Sequence, residues 1–485
     1  MSVLNLLCSP HFIYILPAVL LFTYQFALSN PSSTILIIDR ACQDLNAKSC
    51  NEASVTGYTS KWMTYATLVN SILPAIAAGT WGILSDKYGR KLTFILSVIA
   101  TIIQTMQMIC FGVFKLPFWT LILFGSVSGI LGGSAFCGFF SYVADVSENS
   151  SRRALFFSII AAVQDIGILL GNATMGPIIS NYGPIMPFYI IFGISCLLFL
   201  YVLIIPESLT DKNRVKKLKW YKVNIIASLK GIYTPSKLGP SYVKLLLSII
   251  FTFSYSSFIG FVMILVLYST QIFNWTPNEL SFFAVVESGL RIFAALILAP
   301  LLFHKFTLKY ISYSSIITIS LILQTIAHII YSLAPSTYYM YIGAIFEGLS
   351  AVSTPTIRVL FSRAHGPHEQ GKILSAISAI ETIINTTIPI IVLFIFSITN
   401  VDCPRCVLYI ISSFSIIALI LSILFWYISN TNWDSDSEIP PNIQINQESN
   451  EYQSVKEHPI EIGDKCPFVQ LERDTHSKLY DPQIY

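Results

Sequence analysis

Seven ionisable side chains lie inside long apolar stretches of this sequence, and they are the residues best placed to do chemistry there. They are Asp165, Glu287, Arg291, His328, Glu347, Arg358 and Glu381. A charge in an apolar medium costs roughly 2.5 kcal/mol or more, so such groups persist mainly beside an opposite charge or a water-filled space. We therefore take them as candidates for binding an anion or a proton.

Glu287 and Arg291 are four residues apart, so a helix places them on one face, where they can neutralise each other. One interpretation is an internal ion pair that stabilises the helix. The other is that Arg291 exchanges Glu287 for the carboxylate of a bound anion. The sequence leaves both open.

Glu347 and Arg358 are eleven residues apart, which is about three turns of a continuous helix. They would project from one face and line one pathway without bonding each other. Arg358 lies near the end of its apolar stretch, so the alternative is that its side chain extends to the interface.

Asp165 and Glu381 lie well inside their apolar stretches, and with Glu287 they are the candidates for proton coupling. Each could instead be a hydrogen-bonded structural group. His328, near the end of its stretch, is expected to be structural or interfacial.

The positions of these residues depend on membrane-spanning helices, which the composition predicts. Of the 485 residues 54% are hydrophobic and 11% are charged, and the mean hydropathy is +0.66. At about 20 residues per span, we predict an all-α membrane protein of about twelve helices in two six-helix halves. The predicted spans lie near 11–29, 62–84, 92–114, 117–143, 154–179, 185–205, 242–271, 277–302, 310–333, 337–362, 372–398 and 404–429.

Charge divides the chain into four parts: a first half over 1–206, a basic linker over 207–240, a second half over 241–429, and an acidic tail over 430–485. Cations concentrate in the linker and in alternate loops, so both termini should be cytosolic. The tail has a disordered composition. No basic stripe interleaved with aromatics suggests nucleic-acid binding. The expected partners are lipid, a small molecule and protons, with sorting adaptors possible at Tyr452.

Four cysteines fall in predicted outer loops, namely Cys42, Cys50, Cys403 and Cys406. An oxidising exterior or lumen would allow disulfides there. Four cysteines permit three pairings, and the sequence does not choose among them.

The loop over residues 79–91 has the spacing G-x-x-x-D-x-x-G-R-K, formed by Gly82, Asp86, Gly89, Arg90 and Lys91. Glycine permits a tight turn and close backbone approach. An ordinary basic turn between two membrane helices is the alternative interpretation. The complete spacing resembles the signature loop of the major facilitator superfamily.

Two further blocks resemble the proton-coupled folate transporter group of solute carriers. They are Tyr142-Val-Ala-Asp145-Val-Ser followed by Arg152 and Arg153, and Thr354-Pro-Thr-Ile-Arg358 continuing to Glu369-Gln-Gly371. This resemblance implies alternating access and proton-linked uptake of an organic anion such as folate. It also implies that Asp86, Arg90 and Asp145 form a conformational charge cluster with Gly82 and Gly89, and that Arg358 acts in the pathway.

The chain departs from that group at two points. Its proton-linked folate transporters resemble one another in a Glu in helix five and a His in helix seven, where this chain reads Leu155-Phe-Phe-Ser158 and Tyr255-Ser-Ser-Phe258. The departures argue against carrying over folate and the usual proton route. Asp165, Glu287, Glu347 and Glu381 are the available substitutes.

The expected function is proton symport of a small organic anion in a plasma or endolysosomal membrane, with Arg291, Arg358 and Glu347 in the pathway. A proton-independent facilitator of a neutral solute or drug and a transport-inactive receptor or scaffold are the alternatives. The sequence contains no G-x-S-x-G, H-E-x-x-H or P-loop pattern, so we expect neither an enzyme nor a cofactor.

Overall fold

The computed structural model describes residues 10–132, 139, 142–143, 145–146, 150–208, 241–303, 311–363 and 370–432. Within these residues the regular structure is helical throughout. Nine of the described helices are long and apolar enough to cross a membrane. The predicted linker and acidic tail fall almost wholly outside the described residues.

Six helices form the N-terminal half. They are α1 (Pro10–Asp44), α2 (Ala53–Tyr88), α3 (Arg90–Val113), α4 (Trp119–Gly132), α5 (Ser150–Tyr182) and α6 (Met186–Ile204). α1 packs on α5 and α6, and α3 packs on α4 and α6.

The C-terminal half follows the same plan with two interrupted helices. Its elements are α7 (Ser241–Phe273), α8 (Pro277–Phe293), a π-helical turn (Ala294–Leu298), α9 (Ala299–Leu302), α10 (Tyr313–Leu333), α11 (Thr337–Ser350), α12 (Ser353–Arg363), α13 (Gln370–Thr399) and α14 (Cys406–Asn432). The halves meet where α5 packs on α8 and where α2 packs on α13.

The helix predicted over 337–362 is interrupted between Ser350 and Ser353. Pro355 accounts for the interruption, because its ring clashes with the carbonyl four residues earlier, which belongs to Ala351. Pro300 likewise lies four residues after Leu296 in the π-helical turn. The apolar pattern does not reveal either interruption.

α1 extends to Asp44, well beyond the residue near 29 at which we predicted its end. Its last turns contain Arg40, which lies 3.4 Å from Asp44 and stacks over the Phe111 ring at 5.5 Å. The prediction was wrong because hydropathy follows the lipid boundary, whereas this helix continues through polar residues that pack against protein.

The two disulfides lie at one end of the helix bundle. They join Cys42 to Cys50 and Cys403 to Cys406, which selects one of the three possible pairings. We call this the disulfide end. The opposite end, where α2 turns into α3 at Gly89 and α6 leads towards the linker, is called the linker end.

At the disulfide end, one hydrophobic core contains residues of both halves, including Phe111 and Phe188 with Phe261 and Phe396. In the C-terminal half this core continues to Phe361 and Phe425 near the linker end, where the described residues also form two further, separate cores. One lies in the N-terminal half around Phe12, Phe94 and Phe156, and a smaller one lies in the C-terminal half around Ala299 and Ile316.

Hydrogen bonds between the halves also concentrate at the disulfide end. Asn51 donates to Asn274 at 2.8 Å, and Ser60 donates to the Leu393 carbonyl at 2.7 Å. Asn400 donates to the Ala53 carbonyl. The described conformation is therefore closed at the disulfide end.

Candidate functional site

Arg358 and Glu381 form an ion pair between α12 and α13. A guanidinium nitrogen of Arg358 donates to Oε1 of Glu381. The Arg358 side chain remains 46% exposed, while that of Glu381 is 17% exposed. An accessible arginine with one carboxylate partner retains N–H donors for a further anion, because guanidinium carries five.

Tyr255 of α7 lies beside this pair. Its hydroxyl is 3.4 Å from Oδ1 of Asn385 on α13, and it interacts electrostatically with Glu381, Arg358 and Arg291. The Tyr255–Phe258 stretch, where the resemblance places a histidine, therefore lies among these charges. It contributes a hydroxyl and an aromatic face.

Arg291 links this region to the N-terminal half. Its Nη1 is 3.8 Å from Oε1 of Glu287 on the same helix, as their spacing predicts. Its guanidinium lies over the Phe258 ring at 4.1 Å, a cation–π geometry. Asp165 on α5 interacts with it electrostatically from the other half.

α5 and α8 position these opposing charges by close packing. Asn172 donates to Ser288 at 3.1 Å, and Ser281 donates to the Asn172 carbonyl. We call the combined set of Asp165, Tyr255, Glu287, Arg291, Arg358, Glu381 and Asn385 the central ionic cluster.

The central ionic cluster has the chemistry of an anion site with exchangeable partners. Arg291 and Arg358 each have a carboxylate neighbour, and an incoming carboxylate can replace either one. Polar and aromatic groups can orient the rest of a ligand. Within the described part of the chain, no group of three His, Cys, Asp or Glu side chains could bind a metal ion.

Glu347 lies apart from Arg358. Its side chain is 2% exposed and contacts His328, with Oε2 3.7 Å from Nε2, whereas Arg358 is exposed. The interruption after Ser350 changes the helix phase, so the spacing argument that placed both on one face does not apply. His328 is buried with Glu347 rather than exposed at an interface.

The prediction of a loop over residues 79–91 was wrong, because α2 continues to Tyr88 and α3 begins at Arg90, so that Gly89 alone lies outside the helices. This signature loop, as we continue to call it, forms a second charged site at the linker end. Arg90 Nε donates to Oδ2 of Asp145 at 2.8 Å. Gly89 has φ of 111°, a conformation that favours glycine. The Asp86 side chain and the surroundings of Gly82 are not described, so the gating role of these two residues remains a prediction.

Glu207, which our sequence analysis missed, completes this linker-end site. Its carboxylate accepts the backbone N–H of Arg90 at 2.7 Å and of Lys91 at 3.1 Å. It thus caps the N-terminus of α3, where a negative charge is favoured. A Cβ on Gly89 would collide with this carboxylate. Glu207 and Arg90 are 117 positions apart in the sequence, so no local pattern of residues could have predicted this contact.

Comparison with known proteins identifies the family. The family profile described as Major Facilitator Superfamily matches residues 14–329 and 247–462. Among solved structures, the human organic anion transporter MFSD10 (TETRAN) has a TM-score of 0.59 at 14% identity, covering 85% of this chain and 100% of that one. This likeness concerns the fold.

Three curated relatives illustrate the sequence similarity. The Hippocampus abundant transcript 1 protein of Mus musculus is 26% identical over 69% of this chain, which spans only 65% of that protein. The Proton-coupled folate transporter of Bos taurus is 22% identical over 75% of this chain and 81% of the relative. The Lysosomal proton-coupled steroid conjugate and bile acid symporter SLC46A3 of Gallus gallus is 22% identical over 74% of this chain and 75% of the relative.

The family prediction and the predicted fold class are thereby confirmed. Two of these three relatives are named as a transporter or a symporter. This chain belongs to the major facilitator superfamily, and its sequence is similar to that of the proton-coupled folate transporter group of solute carriers.

Proposed function

We propose that this protein carries a small organic anion together with protons across a membrane by alternating access. The observation that supports the proposal most directly is the accessible Arg358–Glu381 pair, with Arg291 near the same tyrosine. Cationic groups within a membrane-spanning bundle are costly unless they have a partner, and a substrate anion is such a partner.

Exchange of partners would couple the anion to protons. When a substrate carboxylate binds Arg358, Glu381 loses its countercharge, and a proton can take the place of the arginine. Glu287 and Asp165 have the same relation to Arg291. At each arginine, the anion and the proton therefore favour each other's binding: the anion binds the arginine, and the proton neutralises the released carboxylate. This mutual dependence is the basis of symport.

In this proposal the disulfide end and the linker end open in turn, so that the central ionic cluster is exposed to one side of the membrane at a time. The basic loops favour a cytosolic linker end with both termini in the cytosol, so the described conformation would open inwards. The residues of the signature loop and its partner would then act at the cytosolic side, where they would stabilise one of the alternating conformations. They are Gly82, Asp86, Gly89, Arg90 and Asp145. In this proposal residues 207–240 join two transporting halves, and residues 430–485 form a tail with a sorting signal at Tyr452.

The names of two relatives support protons and an anionic ligand. One is called a proton-coupled folate transporter and another a lysosomal proton-coupled symporter of steroid conjugates and bile acids. We therefore propose a plasma or endolysosomal membrane as the location. The ligand class includes carboxylates larger than an amino acid.

The test is uptake of labelled folate, reduced folates, bile acids and steroid conjugates at acidic and neutral external pH, using a surface-routed form. Acid-stimulated uptake of at least one compound is expected. Arg358→Ala should reduce it by about tenfold to a hundredfold, the equivalent of a charged hydrogen bond worth roughly 1.5–3 kcal/mol. Arg358→Lys keeps the positive charge and should retain more uptake.

Surface biotinylation provides the control for amount of protein. Uptake of a neutral compound that is unaffected by pH and membrane potential would instead identify a facilitator. Full activity of both Arg291→Ala and Arg358→Ala would overturn the anion assignment. Loss of function only on deletion of residues 430–485 would favour a receptor or scaffold.

A further inference from the structure

A buried pair of ionisable groups, separate from the central ionic cluster, lies within the C-terminal half. His328 on α10 and Glu347 on α11 face each other, with Nε2 and Oε2 3.7 Å apart and side chains 1% and 2% exposed. Both ring nitrogens of His328 and Oε2 of Glu347 have no hydrogen-bond partner. Buried polar atoms are nearly always partnered, so this arrangement requires an explanation.

Close helix packing fixes the position of the pair. A Cβ on Gly343 of α11 would collide with the Tyr331 ring on α10. Tyr331 stacks on Phe261 of α7 with ring centroids 4.1 Å apart, and its hydroxyl also lacks a partner. The surroundings therefore contain apolar rings and one further polar atom.

The charged and titratable groups facing the pair come mainly from α8. Glu287 and Arg291 both interact electrostatically with Glu347, and Glu287 also interacts with Tyr331. α8 approaches α11 closely, since a Cβ on Gly348 would collide with Leu290.

The other neighbouring helices contribute uncharged groups to the pair. Ser412 of α14 donates to the backbone carbonyl of His328 at 2.9 Å and leaves the imidazole free. Gln324 of α10 lies beside Glu347 and accepts from Ser254 of α7 at 2.7 Å. Through these contacts α7 and α14 present uncharged groups to the pair.

We propose that His328 and Glu347 form a proton-binding site. A neutral imidazole presents one nitrogen lone pair and a carboxylate presents several, so either can accept a proton from water. A displacement of less than about 1 Å brings the two groups within hydrogen-bonding distance. The added proton then lies between them, and its release to water restores the unpartnered pair.

The location of this site connects it to transport. Glu347 shares the electrostatic field of Glu287 and Arg291, so a proton on the pair alters the charge balance at the central ionic cluster. This coupling role rests on the proposed function. Proton binding itself does not, since it depends only on groups within the C-terminal half.

The test is a pH titration of the full-length protein in lipid nanodiscs without substrate, followed by infrared difference spectroscopy. A carboxylic acid C=O band should appear on acidification and be absent in Glu347→Gln. In His328→Gln the transition midpoint should move by about one pH unit or more, the scale of one strong pair interaction. Glu279→Gln, at an exposed carboxylate that caps α8, should leave this band unchanged.

Nitrogen NMR of histidine-labelled wild-type protein provides a measurement that does not depend on folding of the variants. The nitrogen shifts of one buried histidine should change over the pH range in which the infrared band appears, because the protonated carboxyl of Glu347 donates its hydrogen to the imidazole. Identical pH difference spectra in wild type and folded Glu347→Gln would overturn the proposal, as would the absence of any histidine whose nitrogen shifts change together with the band. Titration of the pair without acid-stimulated anion uptake would retain the proton site while contradicting the proposed function.

Discussion

The two ends of the bundle are stabilised by different interactions. At the disulfide end, a shared apolar core and neutral hydrogen bonds join the halves. At the linker end, Arg90 pairs with Asp145 inside the N-terminal half, and Glu207, the first residue of the linker, caps α3 of the same half. Interactions that cross between halves select a conformation, whereas interactions within a half preserve its shape.

This difference indicates which interactions the proposed transport cycle has to break. Opening the disulfide end requires separation of packed apolar surface and loss of several hydrogen bonds, each worth roughly 0.5–1.5 kcal/mol. The ion pair of the signature loop can persist through the same movement. Substitutions at the two ends should therefore have effects that differ in kind as well as in size.

Gly176→Leu should have the largest effect on the closed disulfide end. A Cβ at Gly176 on α5 would lie 2.7 Å from the carbonyl oxygen of Pro277 and 2.8 Å from Cα of Asn278 on α8. These are backbone atoms, which cannot move aside, so overpacking costs about 1–3 kcal/mol. That cost changes the ratio of open to closed disulfide ends by about 5- to 150-fold in favour of the open one. Spin labels at exposed Tyr182 and Tyr338 measure the distance between the halves.

The matched control for this substitution is Gly193→Leu. Gly193 is also helical and has no atom within 4 Å of its Cβ position, so its distance distribution should match that of wild type. Equal distributions in Gly176→Leu and wild type would show that this contact does not maintain the closed end.

Asn400→Ala should produce a smaller shift in the same direction. Its buried amide donates to the Ala53 carbonyl across the halves and lies 3.5 Å from Thr56 Oγ1. Loss of this hydrogen bond costs about 0.5–1.5 kcal/mol, which raises the ratio of open to closed disulfide ends about twofold to twelvefold. Labels at Ser54 and Val401 would detect it. Ser397→Ala, which removes a bond within α13 alone, is the control, and an equal shift there would contradict the expectation.

Asp145→Asn should have the smallest effect. The pair with Arg90 is partly exposed, and pairs of this type contribute about 0–1 kcal/mol. We expect a slightly lower thermal midpoint and unchanged distances at the disulfide end. Lys87→Ala, which removes a side chain packed on neighbouring Tyr88, serves as the comparison. A distance change as large as that of Asn400→Ala would show that this pair acts between the halves.

Much of the fold follows from the sequence because lipid imposes long apolar helices, and most predicted spans match described helices. The Glu287–Arg291 contact also follows, since four-residue spacing places both on one face. The Arg358–Glu381 and His328–Glu347 pairs could not be predicted in this way. They join different helices, and their partners depend on packing angles that hydropathy does not encode.

Polar residues led to a wrong prediction of a helix end where protein, and not lipid or water, surrounds the helix. The last turns of α1 contain Asp39 and Arg40 and resemble a loop in composition, yet Arg40 is 3% exposed. Pro355 is a local signal of interruption, and our prediction of one continuous span over 337–362 did not use it. A proline within a predicted span should therefore be tested against the carbonyl four residues earlier.

The interruption between α11 and α12 has a mechanical consequence. A continuous helix transmits axial torsion along its length, because each hydrogen-bonded turn constrains the next. Between Ser350 and Ser353 the helix is interrupted, and each of the two segments packs on a neighbour of its own, α11 on α8 and α12 on α13. The single span predicted over 337–362 thus consists of two helical segments, and the orientation of one does not fix the orientation of the other.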